Sequence, residues 1–154
     1  MRSPDKLSKL RYAEPGESAA AFQRIRTCAL SVPEVATLLL EGIEAADLWI
    51  LHEIDLQMLL RWGGYAISPA REILFFHPRF MARLLVADPA AFLEVPLKFA
   101  ILELADGGVV TRWADPAAAF ARYQNPALAD LGRELAQICD EIVARALGPS
   151  PMPS

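Results

Sequence analysis

Cysteine is almost missing from this sequence. Cys28 and Cys139 stand alone, with no Cys-x-x-Cys pair, which excludes a disulfide framework and a thiolate zinc knot. Both sit in apolar surroundings, TCALSV and AQICDEIV, and read as reduced, buried, small hydrophobes. Histidine is equally scarce, with His52 and His77 only. No HExxH, no Gly-x-Ser-x-Gly and no glycine-rich phosphate loop occurs, and the paired glycines at 63–64 and 107–108 read as turns. No apolar run approaches the roughly 18 residues of a membrane span, and LLVADPAAFL is broken by Asp88 and Pro89.

Positive charge is also short. The net charge is −4, yet MRSPDKLSKLR at the start carries +3, leaving −7 on residues 12–154. Such an acidic body repels a phosphate backbone, so nucleic acid is not the expected partner. The opening residues lack the apolar core of a secretory signal, and the expected location is the cytoplasm.

Apolar residues, by contrast, are plentiful. The hydrophobic share is 54% of 154 residues, above the usual range for a soluble domain. A single domain of this length can bury a large core. The surplus calls for a sheet covered on both faces, or for a subunit interface.

Element signals alternate along the body. RIRTCALSV reads as a strand. Ser31 and Glu34 have capping-box spacing, with Pro33 in the first turn, and Val32, Val35, Ala36, Leu39, Ile43 and Ala46 fall on one helical stripe. DLWILHEI is a second strand, and Asp55 caps a short helix, LQMLLRW, that Gly63 and Gly64 end. REILFFH is a third strand, after which Pro78 opens a helix. LKFAILEL and VVTRWA flank Asp106-Gly107-Gly108 as a β-hairpin. AAAFARY and the long ALADLGRELAQICDEIVARAL close the domain as helices, the latter with Leu128, Leu131, Leu135, Ile138, Ile142 and Ala146 inward. The expected fold is α+β, a mixed β-sheet of about five strands with helices mainly on one face. Its limits are a flexible extension over 1–21, one domain over 22–147 and a disordered tail over 148–154.

Strand faces point to a partner. In LKFAILEL both alternating sets, Leu97/Phe99/Ile101 and Ala100/Leu102/Leu104, are apolar, and ILFF is apolar on both sides. Helices cover one face, and a second copy of the chain is the expected cover for the other.

The run HPRFMARLLVADPAAFLEVP, then an apolar strand, a hairpin, WADP and QNPAL, resembles domain-of-unknown-function family 302 (DUF302, TT1751-like) over roughly residues 24 to 147. Pro78, Asp88-Pro89, Pro96 and Asp115-Pro116 fall where that family breaks its elements. The resemblance implies a compact α+β domain forming dimers or higher oligomers, and it supplies no activity. Where members often carry Cys-Asn-Pro this chain has Phe76-His77-Pro78; where a cysteine often follows the later proline it has Leu97; Asp47 replaces a common glycine. Thiol chemistry proposed for relatives loses both sulfurs here.

The expected ligand-binding residues are His77, His52, Glu53, Asp55 and Arg79. His77 ends a strand at a helix N-terminus, where backbone N–H groups disfavour a protonated imidazole. It either ligates a metal or takes a proton, or it merely caps the helix. Alternation sets His52 and Ile54 on one sheet face and Glu53 on the other, with Asp55 at the turn. Were the two strands to end at one rim, His52 and His77 with a carboxylate would suit zinc, non-haem iron or haem. The bland reading makes Asp55 a helix cap and pairs Glu53 with an arginine. Arg79 and Arg83, one helical turn apart, either grip an anion or form a solvated face. Trp49, Trp62 and Trp113 serve as core or interface anchors, or line a pocket for a small apolar ligand. No catalytic set emerges and the pattern names no cofactor. The sequence thus points to a dimeric binding or interaction module, with a metal or haem protein as the alternative.

Overall fold

The computed structural model describes residues 6–149; residues 1–5 and 150–154 lie outside the described residues, and with them most of the expected C-terminal tail. Among the described residues, seven strands and five α-helices follow one another: β1 (Ser8–Lys9), β2 (Gln23–Cys28), α1 (Val32–Ala45), β3 (Trp49–Asp55), α2 (Leu56–Trp62), β4 (Tyr65–Ala66), β5 (Ala70–Phe76), α3 (Pro78–Ala87), β6 (Leu97–Glu103), β7 (Val109–Ala114), α4 (Pro116–Ala121) and α5 (Pro126–Leu147). Short 3-10 helices occupy Glu17–Ala21 and Pro89–Glu94. Within the expected N-terminal extension, β1 pairs with β4 in a small parallel ribbon.

Local chemistry sets the ends. Ser31 Oγ accepts from Glu34 N at 3.3 Å while Ser31 N donates to Glu34 Oε1 at 3.2 Å, closing the capping box of α1. Asp55 accepts from Met58 N at 3.0 Å to start α2. Asn125 Oδ1 accepts from Ala127 N and Leu128 N at 3.0 and 3.2 Å, capping α5, and its amide donates to Ala87 O at 3.1 Å, tying α5 to the end of α3. The hairpin turns at Gly107, whose φ of 87° suits glycine, while Gly108 N donates to Asp106 Oδ1 at 2.8 Å.

The five main strands lie in the order β2-β7-β6-β5-β3. Every neighbouring pair is antiparallel, which corrects the expectation of a mixed sheet. Helix-separated strands suggested parallel crossovers, but the chain does not cross over where it matters. Between β5 and β6, α3 and the 3-10 helix after it pack on each other and return the chain to the end it left, so that Phe75 pairs with Leu97. The strands on either side of α1, β2 and β3, point the same way but occupy opposite edges and never meet.

Helices cover one face. Ile73, Phe75, Leu97, Phe99, Ile101, Val109 and Trp113 join the buried residues of α1, α3, α4 and α5 in a single apolar cluster. Phe99 stacks on Phe75 at 4.7 Å between ring centroids and meets the edge of Trp113 at 5.6 Å. The α5 stripe differs slightly from expectation: Cys139 and Val143 are buried, whereas Ile138 and Ala146 only flank the core. Cys139 is buried as expected, and Cys28 is half-buried rather than buried, because β2 is an edge strand.

Two glycines let the helices meet. A Cβ on Gly42 would lie 3.1 Å from Ile142 Cγ2, and one on Gly132 only 2.8 Å from both Phe120 Cβ and Pro116 O. Since Pro116 O is backbone, the α4–α5 contact has no room to adjust. Gly132→Val is therefore expected to cost about 2–3 kcal/mol, the upper range for overpacking, read as a lower urea midpoint with unchanged slope.

Candidate functional site

The other face of the sheet bears the residues in register between those of the core. One row is Ile54, Glu72, Ala100, Arg112 and Ile25; next to it His52, Leu74 and Lys98 are in register, as are Ala114 and Gln23. Of this face only Phe76, at the end of β5, belongs to the core cluster. Ile25 is 55% exposed, and Leu74, Ala100 and Leu102 are half-buried. Further along, Ala70 and Val110 are buried. The face is a mosaic rather than the fully apolar surface expected. Strand β6 ends at Glu103, so its outward set reads Lys98, Ala100 and Leu102. Lys98 Nζ lies 3.5 Å from Glu72 Oε2, and Arg112 Nη1 donates to Gln23 Oε1 at 3.1 Å.

His52 and His77 occupy different places. A bulge between Ile50 and His52 turns Ile50 toward Phe75 and the core, and puts His52 beside Leu74 on the open face. His77 follows Phe76, three residues beyond Leu74, an offset of about 10 Å along the strand. Its Nδ1 accepts from Arg79 N at 3.0 Å as the N-cap of α3, and its ring meets Trp49 edge-on with centroids 5.1 Å apart. That leaves Nε2 as the protonated nitrogen of the neutral ring. Glu53 lies on the core face, where Arg71 Nη1 donates to it at 2.9 Å. Asp55 caps α2. Arg79 Nη1 donates to Asp47 O at 2.5 Å, and Asp47 itself takes the left-handed conformation at φ 60°. The guanidinium thus sits against the negative end of α1. Among the described residues no group of three or more His, Cys, Asp and Glu could hold a metal ion.

The remaining ionisable groups have structural surroundings. Burial pushes the Cys139 thiol well above the usual range, with Asp140 and Asp115 adding to it. Burial also raises the Asp140 carboxyl, opposed by Arg24 and assisted by Asp115.

Sequence reasoning missed an apolar surface elsewhere. A groove of about 570 Å³ runs between α3 and the start of α5, lined by Ala82, Arg83, Val86, Ala87, Ala127 and Asp130. Its Val86 is 88% exposed, and Leu93, in the 3-10 helix after α3, is 84% exposed. The signal was present in LLVADPAAFL, whose apolar residues outnumber the inward positions of one short helix. None of the five expected site residues lines this groove.

Architecture and sequence agree on kinship. The family model described as "Domain of unknown function DUF302" matches residues 24–146. The chain belongs to the DUF302 family. Among solved structures it is similar to an uncharacterized conserved DUF302 protein from Bacillus stearothermophilus, with a TM-score of 0.75 at 17% identity, covering 81% of this chain and 98% of that one. At that identity the likeness concerns the fold. No curated protein matches the sequence. Among the described residues of this DUF302 protein, no helix is long and apolar enough to cross a membrane.

Replacing the His77 cap with alanine is expected to lower stability by about 1 kcal/mol, with bound metal unchanged by elemental analysis of untagged protein. Loss of a stoichiometric metal in that variant would restore the metal reading.

Proposed function

We propose that this DUF302 protein is a homodimeric interaction or small-ligand-binding module, and that a second copy covers its open sheet face. One observation carries the reading. A five-stranded sheet is sealed by helices on one side, while the other side presents Ile25, Ile54, Leu74, Ala100 and Leu102 outside the core cluster. Burying such side chains is favourable by roughly 25 cal/mol per Å² removed from water, and a self-complementary twofold contact is the simplest way to do it. The acidic body directs this surface toward protein rather than nucleic acid. Two free thiols suit a reducing compartment, the cytoplasm.

Ligand binding, on this reading, falls to the strand end where Trp49 meets the His77 imidazole, which the backbone N–H of Arg79 holds in place. Such a set takes a small apolar or anionic molecule by contact and hydrogen bonding, without a chemical step. The metal or haem alternative draws no support from two histidines set on different elements with separate neighbours.

Light scattering on the eluting peak is expected to give twice the 16.9 kDa chain mass. A well-folded monomer at tens of micromolar would overturn the dimer.

A further inference from the structure

Helix α2 breaks a rule that α1, α3, α4 and α5 keep. Each of those buries part of its apolar stripe, whereas no residue of α2 is buried, although its sequence is LQMLLRW. Met58 and Leu59 stand four and three residues before Trp62, so the three form one stripe. The first two are nearly half exposed, and Trp62 is 61% exposed. Gly63 and Gly64 then turn the chain back, Gly64 at a φ of 93°. Tyr65 lands beside the end of α2, where a Cβ on Gly63 would lie 3.6 Å from its Cδ2. It opens β4, which packs on α2 and pairs with β1. Tyr65 is itself exposed, as are Leu10 and Tyr12 just after β1.

Charge in this corner has one sign. Residues 6–13 and 56–70 hold Lys6, Lys9, Arg11 and Arg61 and no acidic residue, in a chain of net charge −4. All four are exposed. Every ion pair among the described residues lies elsewhere, so none of the four is matched to a carboxylate there. Strand β1 runs one strand spacing, about 5 Å, from β4, which brings its cations to the rim of the apolar stripe. Acidic residues resume at Glu14 on one side and at Glu53 and Asp55 on the other. The last two are engaged, Glu53 with Arg71 and Asp55 as the cap of α2.

A twofold contact between copies would hide the stripe but would bring these cations together, which is unfavourable. An anionic lipid surface suits both features. Tryptophan and tyrosine settle at headgroup level, apolar side chains reach the acyl boundary, and lysine and arginine are drawn to phosphate. The acidic remainder of the chain opposes this little, because charges more than about 8 Å away are screened at physiological ionic strength.

We infer that the corner formed by α2, β4 and β1 is a peripheral docking site for anionic membranes, entered by Met58, Leu59 and Trp62 and held by the four cations. No spanning helix is involved. The site goes beyond the dimeric reading and does not need it.

Cosedimentation of the full chain with vesicles tests the site. Phosphatidylcholine vesicles containing one third phosphatidylglycerol should bind the wild type at least about tenfold more strongly than pure phosphatidylcholine. Most of that excess should vanish in about 1 M salt, where the Debye length falls to roughly 3 Å. Trp62→Ser should weaken binding at least about tenfold, and Lys9→Glu with Arg61→Glu by a similar factor. These positions are exposed, and unchanged melting temperatures would show that the variants fold. Leu93→Ser, at an exposed apolar residue outside the corner, should leave binding unaltered. Equal binding to both kinds of vesicle, or binding that Trp62→Ser leaves intact or Leu93→Ser weakens equally, would overturn the site. A wild type that ignores both vesicles would overturn it too; if Trp62→Ser then halves the mass seen by light scattering, the stripe belongs to a second copy.

Discussion

A β-sheet has two faces, and the apolar cluster that α1, α3, α4 and α5 complete lies on one of them. That asymmetry governs the rest of the structure. Phe75, Phe99 and Ile101 are sealed in one cluster with α1, which packs on β5 and β6, and with α5, which meets α1 at Gly42. The opposite set, one residue out of phase on each strand, is left with Glu72, Lys98 and Arg112 among its isoleucines, leucines and alanines. Half-polar faces of this kind suit a contact that must form after folding: apolar enough to bind, charged enough to keep the monomer in solution.

The histidines illustrate how a scarce residue type attracts a functional reading that geometry then disperses. His77 caps a helix through Nδ1, Asp55 caps another, Glu53 pairs with Arg71, and Arg79 meets the carbonyl end of α1. Each is explained by its nearest neighbours. What they leave over is a rim where Trp49 of the edge strand β3 meets His77, which is where the ligand reading now rests.

Caps and turns were legible in the sequence because their chemistry spans three or four residues. Ser31 with Glu34, Asp55 with Met58, and Asp106 through Gly108 depend on nothing distant. The inward face of β6 was also legible, since Leu97, Phe99 and Ile101 alternate. Strand order was not. Antiparallel pairing of β5 with β6 depends on α3 and its following 3-10 helix folding back together, a long-range packing event that no local pattern encodes. His52 and His77 are apart because β3 and β5 are antiparallel, so β3 ends beside the start of β5 while His77 follows its end; the bulge in β3, equally silent in the sequence, decides only the face that His52 takes. Nor did two-sided hydrophobicity in LKFAILEL translate directly, because the strand stops before Leu104 and Lys98 takes the outward place.

The central claim, that the open face closes on a second copy, is tested most directly by hydroxyl-radical footprinting across a dilution series. The account predicts that labelling of Ile25, Ile54 and Leu74 falls as concentration rises through the dimerisation range. Labelling of Val86, in the groove between α3 and α5, and of Leu93, in the 3-10 helix after α3, should stay constant. Equal labelling of Ile25, Ile54 and Leu74 at all concentrations, with the chain nonetheless dimeric, would contradict it.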